Sequence, residues 1–171
     1  MYLRWLLILL SLSFSVQAGT PEQRGLEIAT EAERRDTGFN DSTASMKMLL
    51  RNKQGQESTR DIRVRTLEQV DDGDKSLTIF DQPADVKGTA FLSFTHKTGP
   101  DDQWLYLPAL KRVKRISSRN KSGPFMGSEF AYEDISSQEL EKYTYKYLRD
   151  GMFQGMDCFV IERDPVDEHS G

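Results

Sequence analysis

Two histidines, His96 and His169, one cysteine, Cys158, and Ser128 in the run MGSEF are the side chains best able to do covalent or metal chemistry. None falls in a spacing that such chemistry needs. There is no HExxH pair to put two imidazoles on one helix face around zinc, no CxxC, no GxSxG turn exposing a nucleophile and no glycine-rich phosphate loop. His96 lies beside Phe94, Thr95 and Lys97 in a strand pattern, where a solvent-facing or hydrogen-bonded histidine is the ordinary reading and a metal ligand the rarer one. The acidic runs Asp71-Asp72-Gly73-Asp74 and Asp101-Asp102 sit at turns, where aspartate is favoured because its side chain bonds nearby backbone N–H groups. They lack the alternating oxygen ligands of a calcium loop. These residue types point away from catalysis, a bound metal and any cofactor.

Charge and apolar surface carry the remaining signal. The run Lys111, Arg112, Lys114, Arg115, Arg119 and Lys121 reads either as a solvated edge strand, kept charged against sheet-to-sheet pairing, or as a rim that meets anionic headgroups or an acidic partner. Just after it, Phe125, Met126, Phe130 and Tyr132 follow the breaker Ser122-Gly123-Pro124 in a segment too apolar for an ordinary solvated connection. Such a loop needs a cover or a cavity. Met46, Met48 and Met126 suit either a plain core or a surface that adapts to ligands of varied shape, because methionine is unbranched and polarisable.

The first eighteen residues have the layout of a secretory signal: Arg4, an apolar run from Trp5 to Leu12, and Val16-Gln17-Ala18 as a cleavage site. The run is shorter than the roughly 20 residues of a bilayer span, so cleavage and an exported, non-spanning product are expected. Losing residues 1–18 removes Arg4 alone among charged residues and moves the net charge from −4 to −5. An exported acidic domain is not a nucleic-acid binder. One cysteine makes no internal disulfide, so Cys158 is expected to be a buried apolar residue. The sequons at Asn40 and Asn120 are short enough to recur by chance and carry no weight.

Thr20-Pro21-Glu22 starts a helix with Leu26, Ile28, Ala29 and Ala32 as its apolar stripe, ending near Gly38. The period then changes to two. Turn signals follow every few residues, and the count is eight strands, one helix and one long irregular segment, an antiparallel sheet curling toward a barrel. The domain is expected over 19–164, with PVDEHSG at 165–171 as a disordered tail.

The segments DTGFND, MKMLLRNKQGQESTR, FDQPADVKGTAFL, DDQWLYLPALKRVKRI and FMGSEFAYEDI, in that order, resemble the LolA-like family of outer-membrane lipoprotein-sorting proteins, in the branch found beside RND/MMPL-type exporters. The resemblance covers roughly residues 25 to 164. It implies an α+β, mainly β fold: an antiparallel half-open β-barrel of the LolA/LolB type with a helical and loop lid, holding lipid or acyl chains in the periplasm. Members usually run on for further strands, so a chain ending at Gly171 reads as cut short.

On that reading the cavity is lined by Met46, Met48, Leu50, Ile62, Val64, Phe80, Leu92, Trp104 and Tyr106, the lid is Phe125, Met126, Phe130 and Tyr132, and the rim is Lys111, Arg112, Lys114, Arg115 and Arg119. The expected function is lipid or lipoprotein carriage with a membrane exporter. The alternative is an adaptor that docks on an RND-type transporter and carries nothing. A phase error of one residue would exchange Trp104 and Tyr106 for Leu105 and Leu107.

Overall fold

The computed structural model describes residues 19–170; the expected signal segment lies outside them. Helix α1, Pro21–Asp36, begins with a reciprocal cap: the Gln23 N–H donates to the Thr20 hydroxyl at 3.2 Å and the Thr20 N–H donates to the Gln23 side chain at 3.0 Å. The turn after it uses left-handed Gly38 and Asn40, whose N–H groups donate to the Glu68 carboxylate at 2.6 and 2.8 Å.

Six antiparallel strands follow in sequential order, each hydrogen-bonded to the next: β1 Asp41–Arg51, β2 Glu57–Leu67, β3 Lys75–Gln82, β4 Ala90–Phe94, β5 Asp102–Leu107 and β6 Arg112–Ile116. Local turn chemistry sets this meander. At the β1–β2 tip the Asn52 side-chain oxygen accepts from the N–H groups of Gln54 and Gln56. Residues 117–142 form no strand. The chain returns as a separate hairpin, β7 Tyr143–Phe153 and β8 Met156–Pro165, that does not pair with β6. The sheet is therefore half-open, and the eight strands, one helix and irregular segment found among the described residues match the sequence reading.

Helix α1 packs on β7 through small residues. Gly25 and Ala29 are buried, whereas Leu26, one of the expected stripe residues, is exposed. A Cβ at Gly25 would lie 2.7 Å from the backbone nitrogens of Lys146 and Tyr147, so only glycine permits this approach. Arg24 closes the contact with its guanidinium 4.4 Å above the Tyr147 ring.

The core is one face of the six-stranded sheet plus the irregular segment: Ile62, Phe80, Phe91, Leu105 and Ile116 with Phe125 laid across them. Polar residues share that face. Ser93 and Gln103 bond the Ser136 hydroxyl at 2.9 Å each, and the Thr95 hydroxyl donates to the Glu139 carboxylate at 2.7 Å. Residues 166–170, part of the segment expected to be disordered, turn back instead. Val166 N–H donates to the Lys142 carbonyl, Asp167 meets the Lys121 ammonium at 2.6 Å and the Ser170 hydroxyl donates to Glu133. Polar contacts hold this tail where an apolar count finds nothing. Cys158, expected to be buried, is half-exposed in β8.

Candidate functional site

Side chains of antiparallel neighbours that face each other across the ladder share a sheet face. Met46 pairs with Ile62, Ile62 with Phe80, Thr78 with Phe91 and Phe91 with Leu105, so these residues lie on the face that the irregular segment covers. Alternation along each strand adds Met48, Leu50 and Val64. Six of the nine expected cavity residues are thereby gathered on one face.

The other three are not. Leu92 pairs with Trp104, and Ala90 with Tyr106, on the opposite face, where Leu77 and Phe94 also point. Phe91 and Leu105 take their places under the lid. The expected phase of β4 and β5 was thus off by one residue. Both strands are apolar on two sides, so only their pairing with β3 reveals the phase. On the open side Trp104 packs edge-on against Phe94 with centroids 5.4 Å apart. A shallow groove of about 370 Å³ lies there between Arg65, Leu67, Lys75, Leu77 and Leu92.

The lid is a compact turn built around one aromatic plug. A bridge joins Pro124 to Ala131, the Phe125 N–H donates to the Phe130 carbonyl at 2.6 Å, and Met126 and Gly127 are both left-handed, with φ 52° and +76°. This geometry drives Phe125 onto the sheet. Its ring is fully buried, 5.3 Å from Phe91, 5.8 Å from Phe80 and 5.4 Å from Tyr132, the last at 89°. Edge-to-face packing of this kind adds to the area buried. Met126 and Tyr132 also pack against the core, whereas Phe130 is 52% exposed and covers nothing.

Sequence reasoning missed what fastens the lid. Arg60, opposite Met48 on β2, points into this apolar face and donates to the Met126 carbonyl at 2.6 Å, with its guanidinium 5.8 Å from the Phe80 ring. It meets no carboxylate among the described residues. In ESTRDIRVRTL it is one arginine of three, and only strand phase sets it apart.

Between the end of the sheet, the irregular segment and the hairpin base is a cavity of about 590 Å³ with a largely polar wall that includes Gln103, Ile116, Lys121, Glu133, Lys142 and Tyr143; Phe125 does not line it. Its size is that of a small-ligand pocket. Burial lowers the Lys121 pKa, but Asp167 and Glu133 outweigh that and hold it above the usual lysine value. Of the rim residues, Arg119 edges this cavity and the others stand outside it: Lys111, Arg112, Lys114 and Arg119 are exposed and make no ion pair among the described residues, while Arg115 pairs with Asp102.

The acidic turns bind histidine. His96 Nδ1 lies 2.7 Å from Asp72 and its Nε2 lies 3.5 Å from Asp102, while Asp72 and Asp101 accept the N–H groups of Lys97 and His96. The hydrogen bond to Asp72 raises the His96 pKa, and in return the His96 bond holds Asp72 down at about 2. Two turns are thus clasped together. Among the described residues no group of three His, Cys, Asp or Glu side chains is placed to hold a metal ion, and no helix is long and apolar enough to cross a membrane.

A half-open antiparallel sheet with one helix and a lid on one face is the LolA-type architecture. The chain belongs to a family described as "-like: Uncharacterized protein", whose model matches residues 72–171. Its structural neighbours include an outer membrane lipoprotein-sorting protein domain from Vibrio parahaemolyticus, at 63% identity over 88% of this chain and 63% of that one, with a TM-score of 0.84. A DUF1329 family protein from Desulfovibrio piger matches at 33% identity, covering 86% of this chain and 63% of that one, with a TM-score of 0.77. A LolA superfamily protein from Nitrosomonas europaea shares the fold alone, at 22% identity, 89% and 62% coverage and a TM-score of 0.52. The chain spans less than two thirds of each neighbour's length. No curated protein matches it.

Proposed function

We propose that this chain is a periplasmic, non-catalytic carrier that shelters the acyl chain of a lipid or lipoprotein between the lid and the covered face of the sheet. The observation behind it is the Phe125 plug. A single loop-borne aromatic ring fills an apolar face whose lid is held by a hydrogen bond from Arg60. The similarity to a lipoprotein-sorting domain agrees with that reading.

Magnitudes favour exchange of the plug for a ligand. Phenylalanine buries about 150–250 Å², which at about 25 cal/mol per Å² is roughly 4–6 kcal/mol. An acyl chain of about 14 methylenes gains on the order of 11 kcal/mol at about 0.8 each. The ligand therefore outweighs the plug it displaces, and no covalent step is required.

The test is mass spectrometry of gently purified protein together with titration by a fluorescent fatty acid. Copurifying lipid, and uptake that increases in F125A, support carriage. An empty protein that ignores the probe overturns it. Trp104 lies on the uncovered face, so its emission should stay unchanged as the probe loads. A large change would move the binding surface to the open side.

A second reading, an adaptor that docks on an RND/MMPL-type exporter and carries nothing, draws on the four cations left unpaired among the described residues and on a face already filled by Phe125. Salt-dependent exporter binding by a lipid-free protein would favour it.

A further inference from the structure

We propose that the free edge of β6 is a docking surface for an anionic lipid bilayer. Charge is sharply segregated in this chain. Its net charge is −4, yet residues 103–128 contain no aspartate or glutamate, while Lys111, Arg112, Lys114, Arg115, Arg119 and Lys121 fall within them. The structure neutralises only two of these, Arg115 through Asp102 and Lys121 through Asp167 and Glu133. The remaining four are exposed and unpaired among the described residues.

Geometry turns those four into a strip. β6 pairs with β5 alone, so its other edge is open, and alternation along the strand sends Arg112 and Lys114 to one side and Val113 to the other. The turn Pro108–Leu110 closes on Lys111 with φ 48°. Leu110 stands next to Lys111 at the turn, and Val113 shares its side of the strand with Arg115; they are 67% and 60% exposed. Protection against edge pairing accounts for charge on such a strand but leaves two bare aliphatic side chains unexplained. Basic residues around shallow apolar inserts are what an anionic interface recruits, whereas protein interfaces are depleted in lysine and anchored by buried aromatics.

Docking there has a consequence for the lid. β6 ends at Ile116 and runs directly into the segment that carries Phe125, so the strip sets the lid against the bilayer. The inference stands whether or not the lid admits an acyl chain.

The full chain is floated with phosphatidylcholine vesicles made with and without phosphatidylglycerol, at low and high salt. The protein should float with the anionic vesicles alone and be released by salt. Each basic residue near an anionic surface strengthens binding roughly fivefold. The variant K111Q/R112Q/K114Q/R119Q should therefore bind at least tenfold more weakly, while K47Q/K53Q/R65Q/R149Q, which removes as many charges elsewhere, binds as the wild type does. L110S/V113S should weaken anionic binding without altering its response to salt. Equal flotation with neutral vesicles, equal loss in the two charge variants, or capture by polyglutamate without any flotation would each overturn the proposal, the last in favour of an acidic protein partner.

Discussion

The guanidinium of Arg60 donates to the carbonyl of Met126 at 2.6 Å, so one strand of the sheet holds the turn of the lid across 66 residues of sequence. The donor is charged and the acceptor is a backbone carbonyl, so removing the side chain leaves a part-buried oxygen without its partner. Arg60→Leu should lower stability by about 1.5–3 kcal/mol, the usual worth of a hydrogen bond to a charged group. Amide exchange at residues 123–132 should accelerate more than exchange in β7 and β8. Uniform acceleration would mean that Arg60 does not act on the lid.

Two phenylalanines five residues apart should behave in opposite ways. Phe125→Ala empties a fully buried site and should cost about 3–5 kcal/mol in denaturant unfolding. Phe130→Ala removes a ring that is 52% exposed and should stay within about 0.5 kcal/mol of the wild type. Similar losses in both variants would contradict the plug.

Thr78 is 1% exposed, and its hydroxyl has no hydrogen-bond partner among the described residues. Valine keeps the shape and removes the buried polar group, whose desolvation costs about 1–3 kcal/mol. Thr78→Val should therefore raise the melting temperature by about 2–4 °C or more. A lower value would show that the hydroxyl has a partner in solution.

The clasp around His96 has a defined pH window. Its folded pKa lies above the ordinary value of 6.5, so its contribution is complete below 6.5 and is lost as pH rises through the folded pKa. Asp72 has a folded value of about 2, so its contribution is present above its ordinary 3.8 and is lost as pH falls toward 2. The clasp is whole between those limits. The stability difference between the wild type and H96Q should shrink from pH 6 to pH 8, with NMR titration of His96 as the direct check. A difference independent of pH would remove the clasp from the account.

Much of the architecture was legible because its signals are local. The Thr20 cap, the asparagine and glycine turns and the Pro108 break are each written in two to four adjacent residues. Facing was harder. In β1 and β2 polar residues alternate with Met46, Met48, Ile62 and Val64 and mark the phase, whereas AFLSF and WLYL offer an apolar residue at almost every step. Long-range pairing decides there, and it places Phe91 and Leu105 inward. Gly25 escaped notice because close approach leaves no mark on a hydrophobicity pattern. The Asp72, His96 and Asp102 cluster exists only once two turns meet.

The sheet and the hairpin that carries α1 make no β-ladder with each other, and several contacts between them are polar: Lys142 with Asp101, Thr95 with Glu139, and Glu68 with the chain leaving the helix. Water can replace such bonds at little net loss, which is not true of a packed apolar seam. The packed apolar interior therefore belongs to the sheet and its lid, and the helix and hairpin are joined to it across a seam that water can enter.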